Sequence, residues 1–224
     1  MQRSATHVLK SRGLNGWRLF AIVALPTTVT VAYAMSTTDL SAPQGVSTMI
    51  QLSVRLSVPW LFVAFAASSV AVLAPGPVSF WLLRNRRIFG LCFACAMAWQ
   101  LFFILWLVTG HWSYYASEVY SIYDLAEQLP GYLILAAMTV TSFDAGRRRL
   151  TPRQWKLLHK GGIYFLWGVV WSTYWFELYY YDDIQALDYV YYWAGFLAWT
   201  TRAAAWSKQR APKPAMRNAP HIAT

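Results

Sequence analysis

The sequence predicts an all-α integral membrane fold, a six-transmembrane-helix bundle with both termini on the cytoplasmic side. Three observations predict it. Of 224 residues, 57% are hydrophobic and only 12% charged, against about 25% charged in soluble domains. The apolar residues gather into six segments that approach or reach the ~20 residues a membrane helix needs. With six crossings, every Lys and Arg except Arg55 falls on one side of the membrane, which the positive-inside rule makes the cytoplasm.

In the first segment, residues 17–35, the apolar run from Leu19 to Ala34 follows Lys10, Arg12 and Arg18. Ala32-Tyr33-Ala34 resembles a signal cleavage site, but the run is long for a signal and five more apolar segments follow, so it reads as a retained first helix. The second, 49–73, carries Arg55 and Pro59 near its start; Arg55 lies close enough to the outer end to snorkel. Arg84, Arg86 and Arg87 precede the third, 88–109. Its Cys92 and Cys95 sit one helical turn apart and read as small hydrophobes. Gln100 lies deeper, and an amide there needs a partner, read first as a hydrogen bond to another helix and second as a contact to a quinone or other bound cofactor.

The fourth segment, 129–143, is short. A basic turn with Arg147, Arg148, Arg149, Arg153, Lys156 and Lys160 leads into the fifth, 157–176. The sixth, 189–206, ends among Arg202, Lys208, Arg210, Lys213 and Arg217. Eight of the nine acids lie in or beside the other three loops, and Asp144 alone joins the basic side. The aromatic clusters at 111–115 and 179–181 read as interfacial belts, in keeping with 13 Trp and 14 Tyr. No segment alternates as a membrane β-barrel strand does. The chain divides into a cytoplasmic N-terminal segment (1–16), the transmembrane domain (17–206) and a mobile basic tail (207–224).

These features narrow the function. The net charge of +10 is an orientation signal facing anionic headgroups, so nucleic acid is not required as a partner; the lipid bilayer is. There is no flavin or NAD module, no Gly-rich phosphate loop and no zinc-type spacing. Trp155 and His159 are four residues apart and share a helix face. Gly161 and Gly162 follow, small enough for a helix or flat ligand to approach. A basic anchor, a histidine at the apolar edge and small neighbours suggest a helix that holds a cofactor. Cys92 or Cys95 lies at the depth of His159 and is a geometrically open second ligand. His111 is too far along its helix, and His7 and His221 lie in the tails.

The stretch 141–159 resembles the ferric reductase-like transmembrane family. It looks closest to a small bacterial branch, the haem-binding membrane subunits of the methionine sulfoxide reductase system. Those proteins end one helix in Thr-Ser, continue with an Asp and a run of arginines, and open the next helix with Trp-x-x-Leu-His. Thr141-Ser142, Asp144, Arg147 to Arg149, and Trp155 through His159 fill those places. Arg86-Arg87-Ile88-Phe89-Gly90-Leu91 is similar to the family's basic pair before Leu-Gly-Leu. The resemblance covers roughly residues 49–175. It implies a multi-pass protein of the bacterial inner membrane, an oxidoreductase subunit in electron transport that acts with a protein partner or partner complex. It also implies haem b, with His159 as the metal ligand and Trp155, Arg149 and Arg153 around it. The family's other ligand histidines fall here on Gln100 and Ser172, poor replacements for an electron-transfer haem. Three readings therefore stand: an electron-transfer subunit using haem or quinone, a haem-free scaffold or assembly subunit of a larger membrane complex, and a protein binding a small apolar ligand or quinone between its helices.

Overall fold

The computed structural model describes residues 9, 12–180 and 184–211. Of the cations, acids and aromatics counted above, Arg3, Lys10, Lys213, Arg217, Asp182, Asp183 and Tyr181 lie outside the described residues, as do His7, His221 and most of the tail expected to be mobile. All six apolar segments are helices: α1 (Gly16–Thr37), α2 (Pro43–Leu73), α3 (Pro77–Gly110), α4 (Ile122–Val140), α5 (Pro152–Tyr180) and α6 (Ala186–Arg210). Most begin earlier than apolarity alone indicates, because prolines and caps rather than hydropathy set their starts. Pro43, Pro77 and Pro152 occupy the first turns of α2, α3 and α5, where a missing N–H costs nothing. Before α5, Thr151 Oγ1 accepts from the Gln154 N–H, and Gln154 Oε1 accepts from the Thr151 N–H at 2.9 Å.

Helices α1, α2 and α3 are long and apolar enough to cross a membrane. Large apolar side chains point outward along the bundle, among them Val29 (65% exposed), Leu133 (63%) and Leu197 (64%). An exposed apolar belt marks contact with a membrane or another protein, and the length and apolarity of α1, α2 and α3 favour the membrane. α2 is the central helix. Its Val58, Leu61, Phe62 and Phe65 share a core with Phe93 of α3, Leu135 of α4, Val170 and Tyr174 of α5, and Ala198 of α6. Its Ala64 packs with Leu19 of α1 and Phe89 of α3, and its Val46 and Met49 pack with Val31 and Leu107.

Neighbouring contacts fix directions. Trp167 Nε1 donates to the Gly195 carbonyl and Trp171 Nε1 to that of Tyr192, so α5 and α6 are antiparallel. Tyr191 reaches the Arg55 carbonyl and Arg202 that of Phe65, so α6 runs parallel to α2. The described members of the four basic groups therefore meet at one end of the bundle. Asn15, just before α1, is bonded by Arg84 and Asn85 (3.0 and 2.9 Å). Asn85 Oδ1 accepts the Gly16 N–H in return, and Trp81 Nε1 donates to the Leu14 carbonyl. Arg55, the cation outside the four basic groups, has a carboxylate partner at the other end of the bundle. It pairs with Asp188, 3.8 Å away and 3% exposed at the side chain, whose other oxygen accepts from the Gln185 N–H at the start of α6.

Two glycines let helices approach closely. A Cβ at Gly195 would stand 2.6 Å from Trp171 Cδ1 and 2.9 Å from Phe62 Cζ. One at Gly162 would meet Met138 Sδ and Ile134 of α4, whereas Gly161 faces open space. Gly195→Leu is therefore expected to destabilise the bundle by about 1–3 kcal/mol through overpacking, and Gly161→Leu by much less. Thermal unfolding of the two variants in one detergent checks this.

Candidate functional site

The basic end of α4 and α5 is closed by three side chains. α4 stops where Thr141 and Ser142 return their hydroxyls to the carbonyls of Ala137 and Met138 (2.6 and 2.8 Å). Such local bonds compete with the helix ladder. A single turn, Asp144–Arg147, carries the chain across to α5. There Trp155 Nε1 donates to the Thr141 carbonyl (3.2 Å), and His159 Nε2 lies 3.0 Å from Thr141 Oγ1. The two rings stack at 4.4 Å, as their i, i+4 spacing predicts. The Arg147 guanidinium covers the outer face of Trp155 at 5.3 Å.

This geometry selects a tautomer. With the Thr141 hydroxyl hydrogen on the Ala137 carbonyl, its oxygen is left to accept, an arrangement that requires the ring proton on Nε2. The nitrogen that reaches furthest from the backbone is thus committed to a structural bond.

Beside this clasp lies a cavity of about 400 Å³. His159, Trp155 and Thr141 line one wall. Arg86, Arg87, Arg147, Lys156, Lys160 and Arg202 also line it, with Asp144 as the lone carboxylate. Its inner wall is apolar, formed by Leu61, Leu91, Phe93, Leu135, Ile163 and Leu166. Two arginines are anchored on α2: Arg86 Nε donates to the Ala64 carbonyl (3.1 Å), and Arg202 Nη1 to that of Phe65 (2.9 Å). Arg202 also bonds the Tyr164 hydroxyl and lies over the Phe65 and Tyr164 rings.

Of the residues singled out from sequence, His159 and Trp155 come together at this cavity. Arg149 and Arg153 are exposed and do not line it. Gln100 is elsewhere: its Oε1 accepts from the Tyr132 hydroxyl of α4 at 2.7 Å, the interhelical bond its depth calls for. Ser172 shares its one hydroxyl hydrogen between the Val169 carbonyl (2.8 Å) and the Glu127 carboxylate (3.2 Å). Thirteen positions from His159 on the same helix, it lies about 20 Å away along the axis. Cys92 is buried against Leu19 of α1, Cys95 lines a different groove, and neither reaches the cavity.

Among the described residues, no three His, Cys, Asp or Glu side chains gather as a metal site. A haem held between two histidines does not fit this donor set. The positions that would carry the partner ligands hold an amide and a hydroxyl already bonded to α4, and His159 Nε2 is engaged with Thr141.

Arg86, Arg87, Lys160 and Arg202 were not read as site residues from sequence. Arg202 had a signal: it falls inside the sixth apolar segment rather than after it. Thr141→Val removes the acceptor for Nε2–H and is expected to cost about 1 kcal/mol. Nitrogen NMR of the His159 ring should show an Nε2-protonated tautomer in the parent chain and a mixture in the variant.

Among curated proteins, the chain is similar to the protein-methionine-sulfoxide reductase heme-binding subunit MsrQ of Cronobacter sakazakii (strain ATCC BAA-894). The two are 36% identical over 98 residues, which cover 39% of this chain and 48% of that protein. The chain thus matches about half the length of this relative. No family model matches the chain, and no solved structure matches it.

Proposed function

We propose that the chain is a membrane-embedded subunit of an electron-transfer assembly of the ferric reductase-like kind, working with a protein partner. In this reading residues 17–206 cross the bacterial inner membrane six times. Segments 1–16 and 207–224 are cytoplasmic, and the cationic cavity opens at the cytoplasmic rim. The relative's name supplies the redox setting. The observation that carries the reading is the convergence of the described members of the four basic groups, and of the Trp155–His159 pair, on one end of a bundle whose outer surface is largely apolar.

The chain's own part is structural and positional. α4 is clasped to α3 through Gln100–Tyr132 and to α5 through Ser172–Glu127 and Thr141–His159. Helix–helix bonds of this type contribute about 0.6–2 kcal/mol each in membranes. Because the Gln100 and Ser172 clasps occupy the places where the resemblance implies histidines, the reading assigns the redox group to the partner or to a quinone, and not to a bis-histidine haem in this chain.

Two measurements test it. The protein solubilised mildly and purified should show no b-type band in its reduced-minus-oxidised spectrum, and should carry a stable partner chain or a quinone. A sharp band abolished by His159→Ala overturns the assignment of the redox group. A preparation with neither partner nor quinone overturns the subunit role. For topology, single cysteines are introduced at Arg149→Cys and Ser117→Cys in a Cys92→Ala, Cys95→Ala background. Ser117→Cys should react with an impermeant thiol reagent in intact bacterial cells, and Arg149→Cys only once the membrane is opened. The reverse pattern inverts the orientation, and labelling of both in intact cells removes the six-pass arrangement.

A further inference from the structure

We propose that the cationic cavity is a binding site for an anionic glycerophospholipid, with its phosphate among the cations and one acyl chain in an adjoining groove. This rests on the membrane placement proposed above and not on its redox part.

The charge imbalance is the first observation. Six cations line the cavity against one carboxylate, Asp144. Among the described residues none of the six is in an ion pair, the single salt bridge being that of Arg55 with Asp188 at the other end. Arg86 and Arg202 spend part of their donors on α2 carbonyls, which holds them in position with other N–H groups free. Arg87 and Arg147 lie over the rings of Phe143 and Trp155. Lys156 and Lys160 make no hydrogen bond or ion pair among the described residues. Cations brought together beside an apolar wall repel one another, and an anion relieves that cost. The fork of an arginine and the point charge of a lysine both suit a phosphate.

The second observation is the groove. A furrow of about 470 Å³ runs along the outside of the bundle between α1, α3 and α4, lined among others by Phe20, Ala94, Ala98, Leu101 and Ala136. None of its lining residues is charged. It shares Leu91, Leu135 and Thr139 with the cavity, so the two are separated by no more than those side chains. A cationic pocket with an uncharged apolar furrow on the other side of shared lining residues matches a molecule with an anionic head and a long hydrocarbon tail. Basic pockets between membrane helices on the cytoplasmic side are a recognised setting for such headgroups. A free phosphate would satisfy the cations and leave the furrow without a role, which is why the lipid is the occupant assigned.

The test uses the full chain in detergent and native mass spectrometry with defined probes: dioleoyl phosphatidylglycerol, dioleoyl phosphatidylcholine, dihexanoyl phosphatidylglycerol and sodium phosphate. The parent chain should retain dioleoyl phosphatidylglycerol in preference to phosphatidylcholine. Lys156→Gln with Lys160→Gln should weaken that retention about 30-fold, on the scale of membrane-surface cations. Arg149→Gln with Arg153→Gln removes equal charge from exposed positions outside the cavity and should change it by no more than about twofold. Ala98→Phe fills the groove from an exposed position; it should weaken the dioleoyl probe and leave the dihexanoyl probe unchanged. Equal losses in the two double variants would mean general surface attraction and would overturn the site. Displacement of the lipid by millimolar phosphate, with Ala98→Phe silent, would make it an ion site and would overturn the lipid assignment. Neither outcome depends on whether the preparation is coloured.

Discussion

Lipid offers no hydrogen bonds, so each polar group inside the bundle has to be matched by another part of the same chain. Among the described residues no buried side-chain nitrogen or oxygen is left without a partner, and the way each is matched explains how the helices are held. Dispersion and close packing bring apolar helices together in lipid but specify register weakly. The polar bonds specify it. Asn85, 2% exposed, reaches the start of α1 through Asn15 and Gly16. Asp188, also 2% exposed, holds the start of α6 and faces Arg55 of α2. Removing one member of such a pair strands the other in a poorly solvating interior, which costs far more than the intact pair contributes.

The same constraint accounts for α4, which has fewer apolar contacts with the central helix than its neighbours do. Its clasps occur at three heights, with Tyr132 on Gln100, Glu127 on Ser172 and Thr141 on His159. Two of these occupy the positions where the resemblance implies histidines. The exchange has a consistent chemical logic. An imidazole pair facing a prosthetic group needs both rings free to coordinate, whereas an amide and a hydroxyl each satisfy a neighbour and draw the helices together. The likeness to the methionine sulfoxide reductase subunit concerns part of the chain, and Gln100 and Ser172 each bond a side chain of α4.

The cationic end is the place where the matching rule is met incompletely by the protein itself. Arg86 and Arg202 find carbonyls, and Arg87 and Arg147 find rings, but the cavity's charge is not balanced by its single acid. At a membrane surface this imbalance is tolerable because water and anionic headgroups are near. It is also what distinguishes this end from the opposite one, where Arg55 meets a carboxylate.

The sequence alone determined the helical class, the six apolar segments and their polarity. These follow from composition and from the spacing of charges along the chain, which do not depend on what packs against what. It also determined the Trp155–His159 stack and the need of Gln100 for a partner, because helical geometry places residues four apart together and depth in an apolar segment demands satisfaction. Where the helices begin was legible in the prolines at 43, 77 and 152 more than in hydropathy. The tertiary structure decided the rest. That Arg86 and Arg202, from helices far apart in sequence, grip adjacent carbonyls of α2 is a property of packing, as is the absence of Arg149 and Arg153 from the cavity lining. That Arg55 meets Asp188 depends on α6 running parallel to α2. A local pattern states what a residue requires; which partner meets the requirement is settled only when distant helices come within a few ångströms of one another.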